Sequence, residues 1–508
     1  MKINKGMVKK ELKRLGLKKG DVVFVHSALS ALGEVEGGPD TVIDALLETV
    51  GSKGTVAMTR LGGALLSRVF AERKETIEGI HPTHPVAARG AKAKLLIRDH
   101  IKAETACGKK TPFGRLIDWN GFILLLGVDQ DRNTTLHALE EYADSPYLSE
   151  RILPYKDAAG RKKTKVLKKF PGPHRDFIGL DKLFLKSGIM KVGKVGNAVA
   201  RLMSAGKMAR IGLAALKTNP ALTLCDNPNC ADCVMQRGKI KEKRLKEESF
   251  ILTAVSDEVS SDLTEALTVL QGQGIKQIEL RKINGKNLIA AAESECGEIL
   301  GKIEGAGFKV SAINTGVNRG GIHENPEENL ESFRKYLNLA EFFKTGYLLI
   351  SSFLRPGKKT DECREETLKN ISEMARLAGE KKIMLLIENE PKTYASGSAD
   401  CAAIIETINS PYLKLAFNPA NFAAAGEKPF LEIPSRILKF SRLLYVNDGL
   451  FSGAPQLPGG GNAEIKELIS ILRCRSFSGY LSIKPGFAGG KENFNKAADA
   501  FWRLLENM

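Results

Sequence analysis

Lys382–Ile387 reads KIMLLI and runs into Glu388-Asn389; the next such run, Leu413–Phe417, reads LKLAF and runs into Asn418-Pro419-Ala420-Asn421-Phe422. Each is a short apolar stretch ended by polar residues, which is how a fully buried strand reads. The same rhythm extends in both directions. Ile251–Val255, Gln277–Leu280, Lys309–Ile313 and Tyr347–Ile350 precede the pair, and Leu443–Val446 and Gly479–Ile483 follow it. Helix-length segments such as Pro326–Ala340 and Glu365–Gly379 separate the runs. Eight strand–helix units in about 260 residues predict a (β/α)8 TIM barrel over residues 250–508.

Upstream, the composition breaks at Gln236–Ser249, where Lys239–Glu248 is almost all charge, which predicts a solvated linker or helix over 236–249. The preceding segment, 1–235, alternates differently. Val8–Leu15 and Asp40–Val50 have helical spacing, as do Val86–His100 and Leu136–Ala143, while Asp21–His26, Gly54–Met58 and Gly121–Val128 read as strands. This alternation predicts a layered α/β domain. Ile152–Tyr155 and Thr164–Phe170 flank Lys156-Asp157-Ala158-Ala159-Gly160 and predict a projecting hairpin.

A chain of 508 residues holds two or three domains, and its 43% hydrophobic and 27% charged composition is that of a globular protein. The start, Met1-Lys2-Ile3-Asn4-Lys5, leads into a charged amphipathic stretch and not into a signal-peptide core. No apolar run approaches the roughly 18 residues of a membrane helix, so no membrane partner and a cytoplasmic location are expected. The net charge of +17 is unevenly placed: residues 1–248 carry +18 and 249–508 carry −1, with 16 basic against 3 acidic residues in 151–210. Such a patch attracts anions. Without interleaved aromatics or a nucleic-acid motif, a phosphorylated cofactor or a plain solvated face is expected, and no nucleic acid. The oligomeric state is left open, a dimer included.

Three stretches of the first half carry chemistry. Val25–Gly33 (VHSALSALG) followed by Gly37-Gly38-Pro39-Asp40-Thr41 joins a strand end to small hydroxyl residues and a helix start, suited to holding phosphate or pantetheine on backbone N–H groups. Serines after strands are also ordinary turn residues. His81-Pro82-Thr83-His84 holds two of the seven histidines, or forms a rigid turn with exposed imidazoles. In Thr134–Tyr142 (TTLHALEEY), His137 and Glu140 are three residues apart and share a helical face. A carboxylate there fixes the imidazole tautomer and makes His137 a competent general base; a surface pair is the alternative.

In this order, VHSALSALG, GGPDTVIDALLE, HPTHPVAARG, CGKKTPFGRL and TTLHALEEYA, with the later GKVGNAVA, resemble the aminoglycoside 3-N-acetyltransferase family from about Gly20 to Cys233. The resemblance implies transfer of acetyl from acetyl-CoA to an amine. It makes His137 the base and Glu140 its partner, lines the CoA site with Ser27, Ser30, Gly33, Thr111 and Phe113, and puts His84 near the acceptor. Amines are mostly protonated at pH 7, so a base must act as the bond to the thioester carbon forms. Direct transfer is expected over an acetyl-enzyme on Cys107. A +18 module suits anionic CoA and repels a polycation, so an amino sugar or an amine on an anionic carrier is the expected acceptor, with aminoglycoside-like molecules beside it.

Cys225, Cys230 and Cys233 form C-x4-C-x2-C. Three thiolates suit zinc, but a closed site needs a fourth ligand, for which Asp226, Asp232, His174 and Cys107 are candidates. Reduced buried thiols are expected, with zinc the alternative.

In the barrel, function sits at the strand C-termini, here Asp257 and Glu258, Glu279, Asn314, Ser351, Glu388, Asn418, Asp448 and Lys484. Ile278–Arg281, Leu386–Asn389, Phe417–Phe422 and Tyr445–Asp448 resemble the xylose-isomerase-like sugar isomerases and epimerases over nearly all of 250–508. That family binds a divalent metal through Glu, Asp, His and Glu. The matching positions here are Glu388, Asn418, Tyr445 and Lys484, so no metal is expected. Glu388 and Lys484 remain as a sugar-binding or metal-free acid/base pair, or as a salt bridge in a retained scaffold. The predicted function is an N-acetyltransferase with a fused barrel. A catalytically silent binding protein, or an isomerase with an accessory transferase domain, are the alternatives.

Overall fold

The computed structural model describes residues 2–60, 64–169, 174–324, 326–355, 361–433 and 435–508. The chain forms two compact units, Met1–Ile240 and Lys241–Met508. Among the described residues no helix is long and apolar enough to cross a membrane.

The first unit is built on a seven-stranded sheet in the order Ile77–Gly79, Val86–Gly90, Thr55–Thr59, Val22–Ser27, Phe122–Leu126, Ala198–Ser204, Met190–Val195. The three central strands are parallel, and the outer ones pair antiparallel. Central strands buried on both faces read as unbroken apolar runs, as in Val22-Val23-Phe24-Val25. Two separate apolar clusters cover the two faces. One takes Val23, Val25 and Leu46, the other Phe24, Phe113 and Leu139. The helices Lys5–Leu15 and Gly38–Val50 form where predicted, the first capped by the Asn4 side chain.

The predicted helix over Val86–His100 is a correction. Val86–Gly90 is a strand antiparallel to Thr55–Thr59, and only Ala93–Ile97 is α-helical. Val86, Ala87 and Ala88 are fully buried, so pairing within the sheet overrides the helical pattern. Thr134–His137 is a 3-10 turn that runs into the helix Ala138–Tyr142. The hairpin forms as Ser149–Lys156 and Lys162–Lys169, a two-stranded sheet of its own. Phe170, at the end of its predicted second strand, lies outside the described residues.

In the second unit eight parallel strands follow one another around a barrel: Ile251–Ala254, Gln277–Leu280, Lys309–Asn314, Tyr347–Ile350, Met384–Glu388, Leu413–Phe417, Ser441–Val446 and Tyr480–Ile483. A parallel bridge between Val255 and Glu279 links the first strand to the second. Val255, Ala312, Leu349, Leu386, Ala416, Leu443 and Tyr445 fill the interior, and the larger apolar cluster lies between strands and helices. The charged stretch at 236–249 is helical as far as Leu245, within Ala231–Leu245. Its Lys241 and Arg244 reach Asp499 and the Leu505 carbonyl of the last helix, Lys491–Glu506.

Candidate functional site

In the first unit the parallel strands Val22–Ser27 and Phe122–Leu126 end beside each other and open onto a cleft of about 460 Å³. Gly127 permits the close approach: its φ is +70°, and a Cβ there would fall 2.6 Å from Ala31. Ser27, His84 and His137 line this cleft together with His26, Asp131 and Arg132. Ser27, Ser30 and Gly33 line an adjoining depression of about 580 Å³.

His137 stands at the junction of the 3-10 turn and the helix that follows, held by the buried Leu136, Ala138 and Leu139. Its Nδ1 lies 3.0 Å from Glu140 Oε2. An ionised carboxylate can only accept, so Nδ1 carries the proton and Nε2 is the basic nitrogen. Glu140 is 1% exposed and accepts two further bonds on Oε1, from Arg175 Nε at 2.5 Å and from the Tyr147 hydroxyl at 3.2 Å. Burial alone would raise the Glu140 carboxyl. The hydrogen bond and charge of His137, with the charge of Arg175, outweigh it and hold the group below its ordinary range. Phe177 packs edge-on against the His137 ring at 4.8 Å.

Four other imidazoles surround this pair. His84 bonds Thr83 Oγ1 through Nδ1 at 2.8 Å, and His81 stacks on His100 at 4.2 Å. Burial first, then repulsion from positive charge at His137, His100 and Lys169, pushes His84 down to about 3, so it is neutral at pH 7. Burial takes His26 down to about 4; its Nε2 is buried without a hydrogen-bond partner. Cys107 adjoins His137 and Glu140, but burial, then the charges of Glu140 and Glu141, push its thiol well above the ordinary range. A thiol so placed is a poor nucleophile.

Thr111 and Phe113, expected in the CoA site, are both fully buried and absent from the cleft walls. Thr111 caps the helix Pro112–Asp118, accepting from Gly114 N and donating to the Gly108 carbonyl. Phe113 packs on Phe24 at 4.8 Å and edge-on against His84 and His100. Thr111 is thus a helix cap and Phe113 an aromatic core anchor packed against the histidines. Arg175, Tyr147 and Phe177 had no signal in the sequence; all three come from segments after the His137 helix, and only folding brings them to Glu140 and His137.

The three cysteines do not lie alone. Cys225, Cys230 and Cys233 converge with His174, and their ligand atoms are all within 4.8 Å of one another. Cys225 and Cys230 are half-buried where buried thiols were expected; Cys233 is fully buried.

In the barrel, Lys484 Nζ lies 3.6 Å from Glu388 Oε1 and 4.6 Å from the centre of the Tyr445 ring. Asn418 donates to Glu388 Oε1 at 2.8 Å and caps the helix Pro419–Ala424 through its Oδ1. The hydroxyl of Tyr445 points elsewhere, donating to Glu279 Oε1 at 3.0 Å, while Ser482 donates to Oε2 at 3.0 Å. Glu279 is fully buried, and burial, then the charge of Glu388, raise it to about 7. The sequence marks Glu279 as one strand end among several, within the Ile278–Arg281 stretch that shares the isomerase-like resemblance.

Residues 24–62 and 59–217 match the profile of the family described as aminoglycoside 3-N-acetyltransferase, and residues 269–501 match that of the xylose isomerase-like TIM barrel. The chain is 28% identical over 239 residues to the SPbeta prophage-derived aminoglycoside N(3')-acetyltransferase-like protein YokD of Bacillus subtilis (strain 168), covering 39% of this chain and 87% of that protein. It is 29% identical over 251 residues to aminoglycoside N(3)-acetyltransferase IX of Micromonospora chalcea, covering 42% and 87%. The solved apoenzyme of aminoglycoside acetyltransferase AAC(3)-IVa is similar at 25% identity and a TM-score of 0.42, over 46% of this chain and 96% of that one. The first unit is thus an N-acetyltransferase domain that matches the aminoglycoside 3-N-acetyltransferase family over residues 24–217, and the second matches the xylose isomerase-like TIM barrel over residues 269–501.

Proposed function

We propose that the first unit moves acetyl directly from acetyl-CoA to an amine, with His137 as general base and Glu140 as the carboxylate that orients it. The observation that carries this reading is the buried relay from Arg175 through Glu140 to His137, opening on the cleft that Ser27 and His84 share. Glu140 stays ionised and stabilises the imidazolium that forms when His137 takes the amine proton. The proton leaves as the nitrogen–carbon bond forms, and collapse of the tetrahedral centre expels the CoA thiolate, which is reprotonated. His84, neutral and buried, offers the acceptor a hydrogen bond without adding a charge beside His137. Ser27, Ser30 and Gly33 form the wall against which the pantetheine arm would lie. The protonated Cys107 supports direct transfer over an acetyl-enzyme.

The acceptor is an amino sugar or an aminoglycoside-like amine. Lys168 and Lys169 of the hairpin adjoin His84 and His137 in the smaller pocket beside the cleft, which favours an acceptor bearing an anionic group over a polycation. In the barrel, the Glu388–Lys484 pair occupies the mouth where the resemblance would put a metal, which favours metal-free sugar binding or a scaffold role. The test is release of CoA thiol from acetyl-CoA across a panel of amino sugars and aminoglycosides, wild type beside His137→Ala. Turnover that falls by about 10²–10⁴-fold in the variant supports the reading. Equal turnover in the two proteins rejects His137 as the base, and the absence of acetyl-CoA binding rejects the transferase.

A further inference from the structure

His174, Cys225, Cys230 and Cys233 stand apart from the cleft in sequence, yet the fold gathers them tightly. His174 Nδ1 lies 3.3 Å from Cys233 Sγ and 3.5 Å from Cys230 Sγ. All four ligand atoms fall within 4.8 Å of one another, and no disulfide joins the cysteines. A tetrahedral zinc ion, with bonds of about 2.3 Å to sulfur and about 2.0 Å to nitrogen, separates its ligand atoms by roughly 3.6–3.8 Å. The observed distances bracket that range, so small side-chain rotations suffice to close the sphere.

The surrounding backbone is organised to present these atoms. Cys230 N donates to the Asn227 carbonyl at 3.2 Å, and Asn229 N to the Asn227 side chain at 2.9 Å, turning the chain between Cys225 and Cys230. Cys233 follows in the first turn of the helix Ala231–Leu245, and the Arg237 guanidinium of that helix donates to the Cys225 carbonyl. From the other side, His174 N donates to Asp232 Oδ2 at 3.3 Å. The histidine thus enters from a segment about fifty residues away and supplies the fourth donor beside the three thiols.

We propose that these four residues bind a structural zinc ion. Three thiolates and an imidazole are a donor set for zinc and disfavour calcium or magnesium, which take oxygen. With four protein ligands the site is closed and leaves no position for a reacting water. On binding, Zn²⁺ displaces the three thiol protons to solvent, and His174 coordinates through neutral Nδ1. The ion ties the start of the helix to His174, whose neighbour Arg175 holds Glu140 at 2.5 Å and donates to the His174 carbonyl at 2.6 Å. This site does not depend on the acetyl-transfer reading.

The test is elemental analysis of the full chain, purified under reducing conditions from zinc-containing medium. About one zinc per chain is expected, falling at least about fivefold in His174→Ala and in Cys230→Ser and unchanged in Cys474→Ser, an exposed thiol outside the cluster. Should either ligand variant fail to fold, wild type is titrated with a mercurial thiol reagent in a chromogenic zinc chelator. Zinc released as those thiols are modified supports the site. Wild type that holds less than about a tenth of a zinc per chain and takes up none from micromolar zinc overturns it, as does full zinc content in folded Cys230→Ser.

Discussion

Arg175 Nε donates to Glu140 Oε1 at 2.5 Å, and the two side chains are 2% and 1% exposed. Glu140 turns its other oxygen to His137. One buried carboxylate therefore joins a structural cation to the imidazole at the cleft, and removing either neighbour changes what the other feels.

Arg175→Met leaves Glu140 buried without its guanidinium, and the first unit should lose about 3–5 kcal/mol in chemical denaturation. Glu140 sits below its ordinary value of 4.5 in the folded protein. Its stabilisation is therefore complete above that value and is lost as pH falls through the lower folded one. In Arg175→Met this acid loss should move to higher pH. Acid denaturation curves that coincide for wild type and variant would contradict the ion pair.

Cys107→Ala should leave acetyl transfer within about tenfold of wild type, since the thiol is held protonated. Mass spectrometry of wild type mixed with acetyl-CoA alone should find no acetylated Cys107. A variant that retains its fold and loses about 10³-fold or more would instead make the thiol the acetyl carrier.

Glu279 is raised to about 7 in the barrel from an ordinary 4.5. Its folded form holds a proton that the unfolded chain has released, so the barrel loses stability as pH rises between those values, by about 3 kcal/mol in all. Glu279→Gln keeps an amide where the protonated acid stood and should flatten that slope. Thermal unfolding at pH 5 and pH 8 checks this: the wild-type difference should shrink in the variant, and an unchanged difference assigns the slope to another group.

Lys484→Met leaves Glu388 facing Glu279 without a cation and should destabilise the barrel by about 3 kcal/mol. Adding Glu388→Gln should recover part of the loss. A double-mutant cycle measures the coupling; simple additivity would mean the 3.6 Å pair contributes nothing.

The amino-acid sequence by itself determined the barrel and the His137–Glu140 pair, because both depend on local spacing. Buried strands of four to six residues alternate with helices, and each such unit shows in a short window, as at Lys382–Ile387. Two residues three apart must share a helical face wherever the helix lies. Tertiary structure alone decided several other features. Val86–Gly90 is a strand because Thr55–Thr59 offers it a partner across the sheet. Thr111 and Phe113 are buried because one caps the helix Pro112–Asp118 and the other packs on Phe24 in the apolar cluster. His174 completes the cysteine cluster and Arg175 meets Glu140 across loops whose closure no local pattern encodes. Contacts between residues distant in the chain depend on packing, and packing is a property of the whole fold.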